Sequence, residues 1–590
     1  MLSNDPLKRI LFIDLSNKSF WIEERPELFN KWIGGTGVGI QLLKENVPPG
    51  ADPLGPENAI VLAVGPLNGI FPMASKTVAM FKSPLTGNLG ESHAGGRSAV
   101  AIRLAGYGAV VIKGKSSIPV YLTISENTVH FRDARSLWGI PSSRPPRWAI
   151  AKREPGSGFR TIMVIGPAGE RMVRYATVVT ETFRHFGRLG LGAVFGSKNL
   201  KAIQIGGKRS FEVRDKLQYK KMYADILKRC LDPEFVSKYR DLGTASNVLP
   251  LNELNALPVM NLKIAKLENA ETISGEYLAK NYLGKRIACS LCPVGCVHLA
   301  ALREVYPHAR YFYKTTLVSY DYEPIYALGS MLGVTDTEGM LKLLNAVENL
   351  GLDAMSTGVA LAWATEALER GIISEKETIV KLKWGDAEKY LDAVYNLTYQ
   401  TNDFYGALAR GVAFASSIYG GGDFALTFGG NEMPGYHTGP AAHMSFLYGA
   451  RHSHLDSAGY VLDQKMFSKG RIPSPEEITD YIINEESWRQ ILTSLVVCLF
   501  ARKIYDEEVV VNALDILSFS MTAEELKKRG REIYIEKFRY KIAEGFSIEN
   551  VKIPKRIFET PSPFGKIEPE LFEKARKLFQ SRLSEMLKTQ

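Results

Sequence analysis

At 590 residues the chain is long enough for about two to four domains, and its 45% hydrophobic and 23% charged composition is that of an ordinary globular protein. The net charge of +10 is scattered: the densest basic stretch, Lys527 to Lys541, alternates with Glu524, Glu525, Glu532 and Glu536. That is the pattern of a solvated helix face and not of a nucleic-acid patch, although an acidic partner or an anionic cofactor is compatible with the charge. No apolar run approaches a membrane span. The first residues lack the apolar stretch and cleavage site of a signal peptide. Only five cysteines and no even disulfide framework lead to the expectation of a reducing cytoplasm.

Residues 1–208 read as β-rich. Arg9–Asp14 and Ser19–Glu23 alternate around a Ser16-Asn17-Lys18 turn, a hairpin pattern. Apolar strands are predicted at Ala59–Val64, Val78–Phe81, Ala109–Ile112, Val120–Ile124, Thr161–Ile165 and Ala202–Ile205. Glycine-rich loops are predicted at Gly34–Gly39, Gly87–Gly96 and Gly187–Gly192. The first follows a helix-like stretch, the wrong context for a dinucleotide fold, and Gly192 to Lys198 is one residue short of a phosphate-binding loop. Turn glycines are the plain reading. Three such loops would still let backbone N–H groups approach an anion closely.

Residues 209–425 turn helical. Thr337–Leu350 carries Met340, Leu341, Leu344 and Val347 on one face and stops at Gly351. Ser356 or Thr357 is the expected cap of a following helix, Val359–Arg370. A glycine-rich break from Tyr419 to Gly430 places a boundary near 425. Residues 426–590 read as largely helical from Pro475 onward, with Cys498 inside the apolar stretch Ile491–Ala501.

Three of the five cysteines stand together as Cys289-x-x-Cys292-x-x-x-Cys296. Pro293 and Gly295 favour a tight irregular turn in which several sulfurs face inward. Thiolates so placed suit zinc or an iron–sulfur cluster, and a cubane needs a fourth, here Cys498. Cys230, in the helical stretch Tyr219–Leu231, reads as a packed hydrophobe.

Nearly end to end, the chain resembles the tungsten-containing aldehyde ferredoxin oxidoreductases. The resemblance rests on Lys82-Ser83-Pro84-Leu85-Thr86-Gly87, Ala105-Gly106-Tyr107-Gly108, Ile165-Gly166-Pro167-Ala168-Gly169-Glu170 and Gly196–Ile203. The cysteine run, Tyr326-Ala327-Leu328-Gly329, Gly351-Leu352-Asp353 and Cys498-Leu499-Phe500 add to it. It implies an α+β fold, a β-rich pterin-binding domain followed by two mainly helical ones. It also implies a [4Fe–4S] cluster on Cys289, Cys292, Cys296 and Cys498, and tungsten held by two pyranopterins whose phosphates a magnesium ion bridges. No protein side chain ligates tungsten in this family.

Carried over position by position, the cofactor contacts fall on Lys76, His93, Gly95, Gly96, Arg184, His185, Glu348, Leu352, Asp353, Asp456, Thr493 and Val497. Several depart from the family pattern. Lys76 stands for a phosphate-binding arginine and gives up bidentate geometry. His93 stands for an asparagine near the magnesium, and His185 for a small residue that offers its carbonyl. The first paired pterin motif survives as Glu348 to Asp353. The second, Thr493 to Cys498, has lost its acid, and Asp456 replaces a lysine. The Glu-x-x-His site of the family's homodimer falls at Lys342 to Asn345 and is absent, which makes an iron–sulfur subunit more plausible. Homodimer and heterodimer both stay open.

The resemblance also singles out Glu323 as general base and His454 as a hydrogen-bonding proton relay, with Tyr322 orienting either. His452 competes for the place of His454. Tyr436, His437, Phe446 and Tyr448 are offered as pocket residues. The implied reaction is aldehyde plus water to carboxylic acid, with tungsten passing from the +6 to the +4 state and electrons leaving through the cluster to ferredoxin. Other readings are a tungsten or molybdenum reductase of the aromatic-ring-reducing type, a zinc-stabilised basic nucleic-acid-binding protein, and an inactive family member.

Overall fold

The computed structural model describes residues 5–588 except 155, 157 and 307, with backbone alone at 310. The start of the segment read as lacking a signal peptide, residues 1–4, lies outside them. The fold is α+β: two six-stranded sheets come first and helices dominate afterwards.

The first sheet holds β1 (Arg9–Asp14), β2 (Ser19–Glu24), β3 (Ile60–Ala63), β4 (Thr77–Lys82), β5 (Leu89–Ala94) and β6 (Ala109–Lys113), in the order β2-β1-β6-β3-β4-β5. The β1–β2 hairpin pairs Asp14 with Ser19, and β1 runs parallel to β6. Every residue of β3 and β4 is buried. Strands covered on both faces read as unbroken apolar runs and not as alternation.

The second sheet holds β7 (Val120–Ile124), β8 (Val129–Asp133), β9 (Phe159–Ile165), β10 (Val178–Thr180), β11 (His185–Phe186) and β12 (Leu200–Gly207), in the order β11-β10-β9-β12-β7-β8.

None of the three glycine-rich stretches is wholly a loop. Gly34 precedes a helix, Gly35–Asn46, whose first turn presses against the end of a distant helix. A Cβ on Gly35 would lie 2.2 Å from the carbonyl oxygen of Thr493, and one on Gly37 2.3 Å from that of Trp32. β5 occupies most of the second stretch. Gly190 caps the helix Leu191–Ser197. Within it a Cβ on Gly196 would lie 1.9 Å from the Gly169 carbonyl oxygen, so the near-match to a phosphate loop is a helix packing contact.

In the helical part the sequence reading missed a third sheet: β13 (Leu283–Ile287), β14 (Val297–Tyr306) and β15 (Ala309–Tyr320). The outer half of β15 carries exposed Tyr311, Phe312 and Tyr313, so it lacks the alternation that marks a half-buried strand. Backbone pairing from His298↔Tyr320 to Val305↔Tyr313 holds the ribbon instead. The three clustered cysteines fall between β13 and β14.

Thr337–Leu350 is a helix closed by left-handed Gly351. The next helix starts earlier than expected, at Ala354. Its cap is Asp353, which accepts from the Met355 N–H at 3.1 Å, while Ser356 donates its hydroxyl to Asp353 at 2.6 Å. Gly429-Gly430 is the turn of a short hairpin, Thr427–Phe428 with Asn431–Glu432. The helix Pro475–Ser494 ends before Cys498, which sits in irregular backbone just beyond it.

Buried ion pairs join the first sheet to the C-terminal region. Lys537 meets Glu91 at 2.5 Å, and Lys82 pairs with Glu544. Arg103 and Asp5 pair within the N-terminal domain. Removing one member of such a pair costs about 3–5 kcal/mol, because the other charge stays buried.

Candidate active site

One cavity of about 640 Å³ lies where the two N-terminal sheets, the cysteine loop and the segments around Glu323 and His454 converge. Glu323 and Tyr322 begin the helix Tyr322–Leu328, at the end of β15. His454 begins the short helix His454–Ser457, whose Ser453 cap and Asp456 form a capping box. These helix starts aim both side chains into the cavity.

The Nδ1 of His454 lies 3.5 Å from Oε1 of Glu323. The other Glu323 oxygen accepts from the Gly435 N–H at 3.0 Å, and the Tyr322 hydroxyl donates to the carbonyl of the same glycine. Gly435 therefore ties Tyr322 to Glu323. Burial pushes the Glu323 carboxyl up to about 8, against the pull of the Gly435 N–H. Burial, with Arg188, Arg451 and Arg489 nearby, drives His454 down to about 3. At neutral pH the pair holds a protonated acid beside a neutral imidazole.

Arg188, missed by the sequence reading, is the hub of the opposite wall. Its Nε donates to Asp353 at 3.1 Å, and one Nη donates to Asn431 at 2.6 Å and to the Glu432 carbonyl at 2.8 Å. Deeper in, His93 lies 2.7 Å from Glu91. Burial opposes ionisation of Glu91, but Lys537, Arg451 and His93 outweigh it and hold the carboxyl well below its ordinary range. Burial and Arg451 take His93 down to about 4, so it is neutral.

Cys289, Cys292, Cys296 and Cys498 all line the cavity. A backbone ladder gathers them from three parts of the chain. The Cys498 N–H donates to Met73 O at 2.9 Å, the Met73 N–H to Leu291 O at 3.1 Å, and the Ser290 N–H to Gly96 O at 2.9 Å. Arg240 holds the carbonyls of Pro293 and Val294. Burial opposes ionisation of Cys289, yet Arg184 and Lys76 outweigh it and lower its pKa.

The residues fit the implied groups. Arg184 Nε and His185 Nε2 are buried without a hydrogen-bond partner beside the cavity. A Cβ on Gly95 would lie 2.8 Å from the Cys289 sulfur and 3.3 Å from the Lys76 nitrogen, so only glycine leaves that corner free. Among the described residues no three His, Cys, Asp or Glu close on a single ion.

Lys76, His93, Gly95, Arg184, His185, Glu348, Leu352, Asp353 and Val497 line the same cavity, and Gly96, Asp456 and Thr493 do not. Gly96 turns behind the lining at φ 94. Asp456 is occupied by Arg451, at 2.6 Å from its Nε, and by the Ser453 N–H at 3.0 Å. Thr493 donates back to Arg489 O at 2.8 Å in its own helix. Of the offered pocket residues only Tyr436 lines the cavity. His437 bonds His443 and the Thr560 carbonyl, Phe446 packs on Phe428, and Tyr448 stacks on Phe579. His452 also lies outside the lining.

The N-terminal domain model of aldehyde ferredoxin oxidoreductase matches residues 10–207, and the model of its domains 2 and 3 matches residues 221–589. The tungsten-containing aldehyde ferredoxin oxidoreductase of Pyrococcus furiosus is 31% identical over 94% of this chain and 92% of its own length. The WOR-like subunit of the aliphatic sulfonate oxidoreductase of the same organism is 30% identical over 68% of this chain and 66% of its own. The active-site complex BamBC of benzoyl coenzyme A reductase superposes with a TM-score of 0.80 at 20% identity, covering 98% of this chain and 94% of that one, which speaks for the fold. With both family models matched and this cavity at their junction, the chain belongs to the aldehyde ferredoxin oxidoreductase family.

Proposed function

We propose that this oxidoreductase converts an aldehyde and water to a carboxylic acid, releasing two electrons and two protons. Electrons pass by way of a [4Fe–4S] cluster on Cys289, Cys292, Cys296 and Cys498 to ferredoxin or an iron–sulfur subunit, in the cytoplasm. The observation that carries this reading is the Glu323–His454 pair, 3.5 Å apart in a cavity that also holds four thiols. A tungstopterin supplies the two-electron oxidation when bound. Lys76 and Arg184 would meet its phosphates, His185 would offer its backbone carbonyl, Asp353 and Glu348 would meet its pterin rings, and His93 would lie near the magnesium.

The protein's own part is proton handling. Glu323 accepts a proton from water or from the hydrated aldehyde once it is ionised. Neutral His454 holds the substrate oxygen and passes the proton outward. Tyr322, through Gly435, is a positioning residue for Glu323. Protein purified without oxygen and containing tungsten near one and iron near four per chain, with aldehyde-dependent reduction of a viologen dye, supports the proposal. Zinc near one with neither iron nor tungsten overturns it. The raised Glu323 carboxyl also favours a second reading, reduction with Glu323 as proton donor. Consumption of a reduced low-potential dye by an aromatic thioester, without aldehyde oxidation, would select it.

A further inference from the structure

Every carboxylate lining the cavity apart from Glu323 has a cationic partner. Glu91 has Lys537, Asp321 has Arg184 at 3.7 Å, Glu348 has Arg144 at 3.7 Å and Asp353 has Arg188. Four lining cations are the reverse case, Lys76 beside the thiols and three others. Lys238, Arg502 and Lys503 also line the cavity; among the described residues none of them forms an ion pair with a carboxylate, and Lys238 Nζ stands 5.8 Å from the centre of the Tyr239 ring. Lys238 and Lys503 are exposed, as are Leu455 and Gln464, which line the same stretch and mark it as the mouth.

Aromatic rings connect this mouth to the reacting end. Tyr436 lies 5.5 Å from His454 and stacks on Tyr460 at 4.2 Å and 8°. Tyr239 stacks on Phe500 at 4.4 Å and 13°. Arg502, two residues beyond Phe500, fixes itself by donating to the Leu499 carbonyl at 3.0 Å. A flat apolar passage that ends in cations without carboxylate partners is shaped for a molecule that is apolar along its length and anionic at its far end.

We propose that Lys238, Arg502 and Lys503 form an anion subsite and that the substrate is an aldehyde with an aromatic or extended apolar body and an anionic group remote from the reacting carbon. The proposal rests on the aldehyde reading above and deepens it. Charge-assisted hydrogen bonds at a half-open mouth are worth about tenfold or more in affinity.

The test compares matched aldehydes, 3-(4-formylphenyl)propanoate against 4-propylbenzaldehyde, with the tungsten-loaded enzyme and a viologen dye. The expected result is about a tenfold lower KM for the anionic member, erased in a K238A/R502A/K503A variant with kcat and the neutral aldehyde unchanged, and retained in R502K/K503R. Equal KM values in the wild type, or an equal loss on both aldehydes, would overturn it. A variant defect seen only with a protein electron acceptor would overturn it too, assigning the cations to docking. If neither aldehyde turns over, the aldehyde reading itself fails. The subsite is then judged by calorimetry of 3-(4-carboxyphenyl)propanoate against 4-propylbenzoate on the wild type and the triple variant, where equal affinities sink it.

Discussion

The Nζ of Lys541 lies 2.9 Å from the Nε2 of His452 and 2.8 Å from the Ala450 carbonyl. His452 donates from Nδ1 to the Phe446 carbonyl at 3.0 Å, so both ring nitrogens are committed, away from the cavity. Burial and Lys541 hold its pKa well below the ordinary value. His454, two residues on, is the histidine that faces Glu323. His452→Leu should lower stability by about 1–3 kcal/mol, because Lys541 loses an acceptor, and leave kcat within about twofold. His454→Asn should lower kcat by about 10²-fold or more with little change in stability. Urea unfolding and steady-state rates on both variants separate the two roles.

The pH dependence follows from Glu323. With its carboxyl near 8, a base role predicts a rate that climbs with pH and levels above about 8. Glu323→Gln should remove that limb and cost about 10²–10⁴-fold in kcat. Stability has the opposite sign. Between the ordinary value of 4.5 and about 8, the folded state keeps a proton that the unfolded state has released. This group's contribution is therefore full below 4.5 and is lost as pH rises through 8. Glu323→Gln should flatten that part of the stability–pH curve, read by urea midpoints at several pH values.

Iron content tests the thiols. Cys498→Ser should lower iron per chain sharply and bleach the broad visible absorbance of the cluster. Cys230→Ser should leave both unchanged: Cys230 is fully buried, lies outside the cavity lining, and burial pushes its thiol up to about 12. Retention of full iron in Cys498→Ser would remove Cys498 from the ligand set.

Gly196→Ala probes packing alone. Its Cβ would sit 1.9 Å from a backbone carbonyl oxygen, which cannot swing aside as a side chain does. A loss of about 3 kcal/mol, or failure to accumulate folded protein, is expected. Gly470→Ala is a poor control because φ there is +68, whereas Gly406, with nothing within 4 Å and ordinary φ, should tolerate alanine with a change below about 0.5 kcal/mol.

Eight of the twelve strands of the two N-terminal sheets were legible because runs such as Ile60–Ala63 and Val120–Ile124 are dense in branched apolar residues, whereas β5, β8, β10 and β11 were not read as strands. The glycine stretches misled because glycine signals a turn and a close helix contact with the same letter. Gly35 and Gly196 serve the second purpose. β15 was hidden by exposed aromatics whose order comes from pairing with β14, a long-range cause with no local mark. Within the site, the cysteines declared themselves by spacing, whereas Glu323, His454 and the pterin contacts were found through family resemblance. Arg188 had neither route. A lone arginine among glycines shows no period, and its partners Asp353 and Asn431 lie 165 and 243 residues away.

The ladder from Leu291 through Met73 to Cys498 ties the proposed cluster site to the assembly of the whole chain. Three thiols are translated by residue 296, but the fourth leaves the ribosome about two hundred residues later and reaches the others only by settling against Met73, near the chain's start. On the proposed ligand set, iron delivered earlier would meet a cup of three thiols, open to oxidants and to competing metals. Completion waits until the C-terminal region has closed over the first sheet. On the proposed ligand set the cluster would be completed after translation, and iron content would read out the closure of the C-terminal region on the first sheet.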